Sequence, residues 1–450
     1  MHPEKKDAEM KGILRFALPM VAAAFLQILF KEAGLAVAGR LCGDIAVSVI
    51  GSTSAVSSMI LNATVALAVG VNTTAALING EGSKEKLYAL IKTWMYVFGI
   101  TGMVVGGLLI CGSRALIVIL GTPPSIVDAA CVYFRLFCLG IPAILLFQCG
   151  SAMFRGTGDT VTPLKCQLVS GIFNILLDIA LLKWLKMGTI GVAVAGAISQ
   201  YLSLGLIMSF KKKRFNDRKA EREAVRTAQY EKSILNIGIP ACLQSILFSA
   251  SNLTLQTAIN NFGIAAIAGN SAASSVQTIV DSTTSAFELV ALSLVGSHVG
   301  AGRITKIGAE TGKCLICVVV IGSVAGGLVA VFPEWALQLY VHDAESVYFG
   351  IIRIRIVCTC MALCGMTEVL TGVLRGMGNS RITLLITLAA GCGLRMLWTR
   401  VVIKNSGDFS LLMLSYPVSW VATMLLMLLA YVLIKRKLML KQHLTISNIN

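Results

Sequence analysis

Met153-Phe-Arg-Gly-Thr-Gly-Asp-Thr-Val-Thr-Pro-Leu164 is answered by Val373-Leu-Arg-Gly-Met-Gly-Asn-Ser-Arg-Ile-Thr-Leu384, 220 residues further along the chain. Other anchors repeat at the same spacing. Arg135 pairs with Arg355, Gly171 with Gly391, Ile198-Ser199 with Val418-Ser419, and Gly80-Glu-Gly82 with Gly300-Ala-Gly302. Pro19 and Pro240 pair at a spacing of 221. Agreement at so many separated anchors marks an internal duplication.

The duplicated chain is unusually apolar. Hydrophobic residues make up 56% of its 450 residues, charged residues 13%, and the mean hydropathy is +0.80. A soluble chain would carry about 25% charge. The apolar residues gather in stretches of roughly 20 or more, enough to cross a ~30 Å hydrocarbon core as helices. Lipid satisfies no backbone polar group, so only helices or a closed barrel can span it. Continuous apolar runs, rather than alternating ones of about 10 residues, exclude the barrel. The expectation is an all-α polytopic membrane protein with spans near 13–38, 50–79, 88–111, 129–154, 165–186 and 189–210, then 233–259, 270–299, 311–332, 347–373, 382–403 and 410–434. The second and eighth spans are rich in Ser, Thr, Gly and Asn, which predicts burial among other helices. Six spans per half return the chain to its starting side. The halves therefore share an orientation and should be related by a pseudo-two-fold axis along the membrane normal, with a cavity between two six-helix bundles. The expected division is 1–210, a basic linker at 211–232, and 233–450.

The net charge of +16 raises the question of nucleic acid. Its distribution answers instead as topology. Lys and Arg crowd the tails and even-numbered connections, notably Lys211 to Lys232, while the opposite side holds Arg40, Arg114, Lys183, Lys186, Arg400 and Lys404. That asymmetry places both termini in the cytoplasm. The linker either lies on the anionic inner leaflet, making lipid a partner, or is a solvated loop. Met1 to Lys11 is polar and the following apolar stretch is too long for a signal peptide, so none is expected. Cys314-Leu-Ile-Cys317 has a metal-like spacing but no second pair and no histidine beside it, and reads as buried free thiols.

These motifs resemble those of the multidrug and toxic compound extrusion (MATE) transporters, in the bacterial branch that includes the DNA-damage-inducible protein F. Arg155-Gly-Thr-Gly-Asp-Thr-Val-Thr-Pro163 is similar to the segment after that family's fourth helix, and Asn174-Ile-Leu-Leu-Asp178 to its helix-five pair. Ala38-Gly-Arg40, Phe262-Gly263, Val295-Gly296 and Tyr416-Pro-Val-Ser-Trp420 also fit the family's patterns. The resemblance implies twelve helices in two bundles around a central V-shaped cleft. It implies a secondary-active exporter of small amphipathic, often cationic, organic compounds in exchange for H+ or Na+. A monomer in a bacterial inner membrane is expected, with no cofactor beyond the coupling ion.

Asp178 is the leading candidate for that ion. It lies 13 residues after Lys165, about 20 Å along its helix. A carboxylate at that depth costs several kcal/mol unless it is protonated or paired. Asn174 is four residues earlier and shares its face. Together they offer hard oxygen ligands for Na+, the one metal ion expected, or Asp178 alone can take a proton. The structural alternative is an aspartate tied to a neighbouring backbone or hydroxyl group. The resemblance implies a further acid in the first helix, but that position is Gly34. Glu32 stands two residues away, about 200° around a helix, so its part in coupling would require a local distortion.

Glu288 is a candidate for attracting a cationic substrate, or else for pairing with an internal base. Glu368 is expected either to pair with Arg375, seven residues on, or to act as an anchor at the membrane interface. Arg395 is expected to face inward, because Asn174 and Asp178 map onto Leu394 and Trp398. The second half thus lacks an Asn/Asp pair, and the ion site is expected in the first bundle alone. Asn252, Gln256 and Asn260 form one polar stripe, which either lines the cleft or bonds another helix. Gln27 and Gln148 invite the same two readings. The Gly-x-Gly pairs at Gly156 and Gly376 are followed by no Lys-Ser/Thr and read as turns rather than phosphate loops.

Two other classes compete. A flippase for lipid-linked oligosaccharides would line its cleft with several Arg and Lys. A membrane-embedded enzyme would need clustered acids and histidines, and the chain has four histidines in all.

Overall fold

A computed structural model of the chain describes residues 3–217, 228–405 and 407–447. The middle of the basic linker, 218–227, lies outside the described residues. The first half forms α1 (Pro3–Cys42), α2 (Asp44–Glu81), α3 (Lys84–Ile119), α4 (Val127–Leu139), α5 (Ile141–Gly156), α6 (Val161–Lys183) and α7 (Gly188–Arg214). The second half forms α8 (Ala228–Asn260), α9 (Ile264–Gly300), α10 (Ile304–Val331), the short α11 (Pro333–Leu337) and α12 (Ala344–Val357). A 3-10 turn at Cys358–Cys360 leads into α13 (Met361–Gly376). Then come α14 (Ser380–Ile386), a π segment (Thr387–Gly393), α15 (Leu394–Asn405), α16 (Phe409–Met413) and α17 (Ser415–Ser447). Among the described residues there is no strand. Among the described residues eleven helical stretches are long and apolar enough to cross a membrane, and α4 with α5, bent by 40°, makes a twelfth when counted as one span.

The repeat is written in the contacts as well as the sequence. A Cβ at Gly156 would stand 2.6 Å from Asn72 O and 3.0 Å from Ala76 N. One at Gly376 would stand 2.8 Å from Leu292 O and 3.2 Å from Gly296 N, each partner shifted by the same 220 residues. Only hydrogen fits in these places, so α5 lies directly on α2, and α13 on α9. Both helices end in the same turn. Gly158 (φ +88°) and Gly378 (φ +81°) take the left-handed conformation that closes a helix without a Cβ penalty. Gly158 N donates to Arg155 O at 3.0 Å, and Gly378 N to Arg375 O at 2.8 Å.

The break inside the fourth span follows from Gly140-Ile-Pro142, because proline removes a helix donor and clashes one turn back. Its counterpart in the tenth span, the Cys358–Cys360 turn, breaks at the same place with Ala362 instead of proline. In both halves glycines of the preceding span press on the joint. A Cβ at Gly102 would come within 2.7 Å of Pro142 Cα, and one at Gly322 within 3.1 Å of Ala362 Cα. Close helix contact is thus the feature common to both joints.

The chain divides into two compact units. One comprises Met1–Val21, Gly80–Gly82 and Leu243–Asn450, the other Ala22–Asn79 and Ser83–Cys242. The divisions in α1 and α8 fall two residues beyond Pro19 and Pro240. The first helix's leading segment therefore belongs with the C-terminal unit, where Ile13, Ala17 and Met20 join a core with Phe287, Val290 and Leu374. In the N-terminal unit, Ile234 of α8 joins Trp94, Phe98 and Met153. Large apolar side chains such as Leu108, Leu328 and Leu433 stay exposed, as a lipid-facing wall requires.

The eighth span is indeed buried, over 61% of its apolar window, but the second reaches only 33%. The Ser-rich first half of α2 is mostly half-buried or exposed. Ser52, Thr53 and Ser54 donate back to the carbonyls of Val49, Ile50 and Gly51, so its hydroxyls need no neighbouring helix.

Candidate functional site

In the N-terminal unit the site is built where α1 meets α6. Gln167 donates to Ala23 O at 3.1 Å, and Phe30 covers Gly171. Two turns on, a Cβ at Gly34 would stand 3.6 Å from Asp178 Oδ2. These α1 positions recur at helical spacing, so one face of α1 lies along α6 and ends at the carboxylate. Asp178 is 1% exposed, and its Oδ1 has no hydrogen-bond partner among the described residues. Tyr133 of α4 stands within Coulombic range of it.

Asn174 is half-buried one turn before Asp178. Glu32 is exposed and is not brought to the aspartate, as the 200° separation from Gly34 requires. Gln27 is exposed and Gln148 half-buried. The structure thus joins Asp178 with the position of the expected second acid, and finds glycine there.

The C-terminal unit holds a second polar site that the sequence reading missed. A cavity of about 290 Å³ is lined by residues of α8, α9, α12, α13, α15 and α17. Two acids and two arginines line it: Asp281, Glu368, Arg353 and Arg395. Asp281 sits at the middle of α9, one of 37 residues, and an intramembrane acid there is a signal the sequence did carry. The donor atoms of Asp281, Cys364 and Glu368 all lie within 4.8 Å of one another, a set able to hold a cation. The Cys364 thiol donates to Asp281 Oδ1 at 3.6 Å. Glu368 Oε2 has no hydrogen-bond partner among the described residues.

The arginines are held by neutral groups. Arg395, 1% exposed, donates to Asn252 Oδ1 and Ser419 Oγ, each at 3.0 Å. Its guanidinium lies 4.4 Å from the Tyr416 ring centre, and that of Arg353 lies 5.1 Å from the same centre. Arg353, 5% exposed, donates to Asn270, to Gln277 Oε1 at 2.7 Å and to Tyr416 OH at 3.3 Å. Asn270 in turn donates to Gln256 Oε1 at 3.0 Å, and Gln256 to Asn260 Oδ1 at 3.1 Å. The polar stripe of α8 therefore bonds neighbouring groups and lines the cavity at Asn252 and Gln256. Among the described residues no ion pair joins either arginine to Asp281 or Glu368.

One expectation is corrected here. Glu368 does not pair with Arg375. Two helical turns separate them, about 10 Å along α13, and Glu368 turns to the cavity. Arg375 instead pairs with Glu288 of α9 and donates to Gln244 Oε1 at 3.0 Å. Glu288 is thus tied to a base outside the cavity lining. Beyond the acids read from the sequence, the C-terminal unit brings Asp281 and Glu368 together with Cys364. Arg395 does face inward, but through a device absent from α6. The π segment takes up extra backbone just before it, which rotates the register that follows. Cys314 and Cys317 are buried free thiols.

The MatE family model matches residues 19–180 and 240–399, two segments that open at the paired prolines. This chain belongs to the MatE family. It is accordingly a multi-pass membrane transporter and not an enzyme. Among curated MatE relatives, the probable multidrug resistance protein YoeA of Bacillus subtilis is 22% identical, over 84% of this chain and 83% of the relative. The probable multidrug resistance protein NorM of Thermotoga maritima is 24% identical, over 86% and 84%. The Vibrio cholerae MATE transporter VcmN shares the fold at a TM-score of 0.86 and 18% identity, covering 96% of this chain and 97% of that one. A MOP superfamily transporter from Pyrococcus furiosus, described as having a binding pocket of reversed polarity, shares it at 0.85 and 17%, covering 95% and 96%.

Proposed function

We propose that this MatE chain is a secondary-active multidrug exporter. It expels amphipathic, cationic organic compounds across a bacterial inner membrane by alternating access, with both termini in the cytoplasm. The curated relatives named for multidrug resistance support the substrate class, and the positive-inside pattern supports the orientation. The observation that carries the coupling site is Asp178, buried with an unpartnered oxygen opposite Gly34. Sodium requires several hard oxygen ligands. With glycine where a second acid was expected, Asp178 and Asn174 make a sparse set, whereas one desolvated carboxylate suffices for a proton. The proton is therefore the better-supported coupling ion. Each one entering down 100 mV releases about 2.3 kcal/mol.

The test is uptake of a labelled cationic dye into proteoliposomes under separately imposed proton and sodium gradients. Wild type should respond to the proton gradient and Asp178→Asn should not. Gradient-driven uptake unchanged in the mutant removes Asp178 from coupling, and uptake indifferent to any gradient rejects antiport.

Arg353 and Arg395 give a specific reason to retain a second reading, the lipid-linked oligosaccharide flippase. Asp281 and Glu368 in the same cavity weigh against it, since they would repel a pyrophosphate carrier.

A further inference from the structure

The cavity of the C-terminal unit has a charge pattern that export of simple cations does not use. Its two arginines are more than nine-tenths buried, yet the groups that hold them are neutral: amides, hydroxyls and the rings of Tyr416 and Phe248. The Nε atoms of both lack a partner among the described residues, as does Glu368 Oε2. Buried charged groups keep unmet hydrogen-bonding capacity only at a cost, and here that capacity borders a cavity able to admit a polar ligand. The acids gather around Cys364 and the arginines around Tyr416. The site therefore has an acidic side and a basic side.

A lone cation or a lone anion would satisfy one group and add net charge to a desolvated space. A ligand carrying both charges satisfies both and leaves the total unchanged. The volume of about 290 Å³ lies at the low end for organic ligand pockets, roughly 300–1,000 Å³, which limits the solute to small molecules.

We propose that this cavity binds a small zwitterionic organic solute, its carboxylate held by Arg353 and Arg395 and its ammonium group by Asp281 and Glu368. The inference extends the transport reading to a second substrate class. It does not depend on the coupling role of Asp178, which lies in the other unit.

The experiment is equilibrium binding of radiolabelled phenylalanine to the purified full-length protein in detergent. Phenylalanine methyl ester, which keeps only the cation, and N-acetylphenylalanine, which keeps only the anion, serve as competitors. The expected result is saturable phenylalanine binding, with each competitor at least about tenfold weaker than unlabelled phenylalanine. Glu368→Gln should weaken phenylalanine about tenfold and leave N-acetylphenylalanine unchanged. Arg395→Gln should weaken phenylalanine similarly and leave the methyl ester unchanged. Asp178→Asn should bind phenylalanine as wild type does, so a failed coupling role and a failed subsite are told apart. The competitor series on wild type needs no variant, and stands even if Arg395→Gln does not fold. No saturable phenylalanine binding overturns the proposal. So does an ester as tight as phenylalanine, which marks a cation site, or an equally tight N-acetyl derivative, which marks an anion site.

Discussion

Gly156 meets the backbone at Asn72 and Ala76; Gly376 meets it at Leu292 and Gly296. At that same spacing of 220, Tyr133 becomes Arg353, Gln148 becomes Glu368, Leu61 becomes Asp281, and Asp178 becomes Trp398. Among the positions that repeat, Gly156 and Gly376 lie where two backbones touch, and there any side chain is an obstruction. Among the positions that diverge are Arg353, Glu368 and Asp281, which line the cavity of the C-terminal unit, and Asp178, the buried carboxylate of the other. Duplication has kept the joints and reassigned the interiors, giving one unit the buried carboxylate of Asp178 and the other a cavity lined by two acids and two arginines.

The largest effect should come from exchanging equivalent losses of charge. Asp178→Asn should lower gradient-driven dye transport by about two orders of magnitude or more, since a proton carrier without its titratable group has no substitute nearby. Glu368→Gln, the same chemical change in the other unit, should leave transport responsive to the proton gradient. Proteoliposome uptake against an imposed gradient compares them directly. Equal loss in both variants would mean that the units share coupling, and the division of labour drawn here would fall.

A second effect should be symmetrical. Gly156→Leu and Gly376→Leu each force a branched side chain against backbone that cannot yield by rotating a bond. Overpacking ordinarily costs about 1–3 kcal/mol, and these positions should reach the top of that range or beyond. Both variants should show a similar large drop in melting temperature and in monodisperse yield on size exclusion. A mild effect at one glycine alone would show that the repeated joint is not equally tight in the two units.

A smaller effect is expected at Glu288→Gln. This leaves Arg375 with Gln244 but removes its charged partner. Removing one partner of a fully buried pair costs about 3–5 kcal/mol; Glu288 is 21% exposed on its side chain, so about 2 kcal/mol is expected. Thermal denaturation should register this, while dye affinity should stay within about twofold. A large fall in dye affinity at unchanged stability would restore Glu288 as a substrate contact.

The fold was legible because its strongest signals are local or periodic. Apolar runs give the spans, and the Arg-Gly-x-Gly turns with their paired prolines give the repeat. Asp178 was legible for a related reason: an acid deep in an apolar helix is conspicuous without any knowledge of its neighbours. The cavity was not. Its charged and aromatic walls come from six helices, and no one-dimensional spacing reveals that Arg353 and Arg395 share the ring of Tyr416. Glu368 was assigned to Arg375 because both lie on one helix. Three-dimensional proximity gave Arg375 to Glu288 on another. The π segment before Arg395 also shifts the register that a fixed offset assumes. Gly34 shows the reverse case, where an absence noted in the sequence gains meaning only when the structure sets it beside Asp178.

That pairing supports the subtlest prediction. Gly34→Asp would return a second acid to the N-terminal unit, with its Cβ 3.6 Å from Asp178 Oδ2, an ordinary contact distance. The fold should tolerate it, because room exists and α1 is only half-buried there. Its chemistry should change more than its stability. Two carboxylates a few ångströms apart repel when both are ionised, and a bound cation relieves that repulsion while adding oxygen ligands. The variant should therefore gain a response to an imposed sodium gradient that wild type lacks, while keeping part of its proton response. Dye uptake measured with sodium and proton gradients applied singly decides the matter. A sodium response already present in wild type would show that Asp178 and Asn174 suffice for the metal ion. No response in Gly34→Asp would show that the second carboxylate cannot share a cation with the first, and that glycine at this position is not what sets the coupling ion.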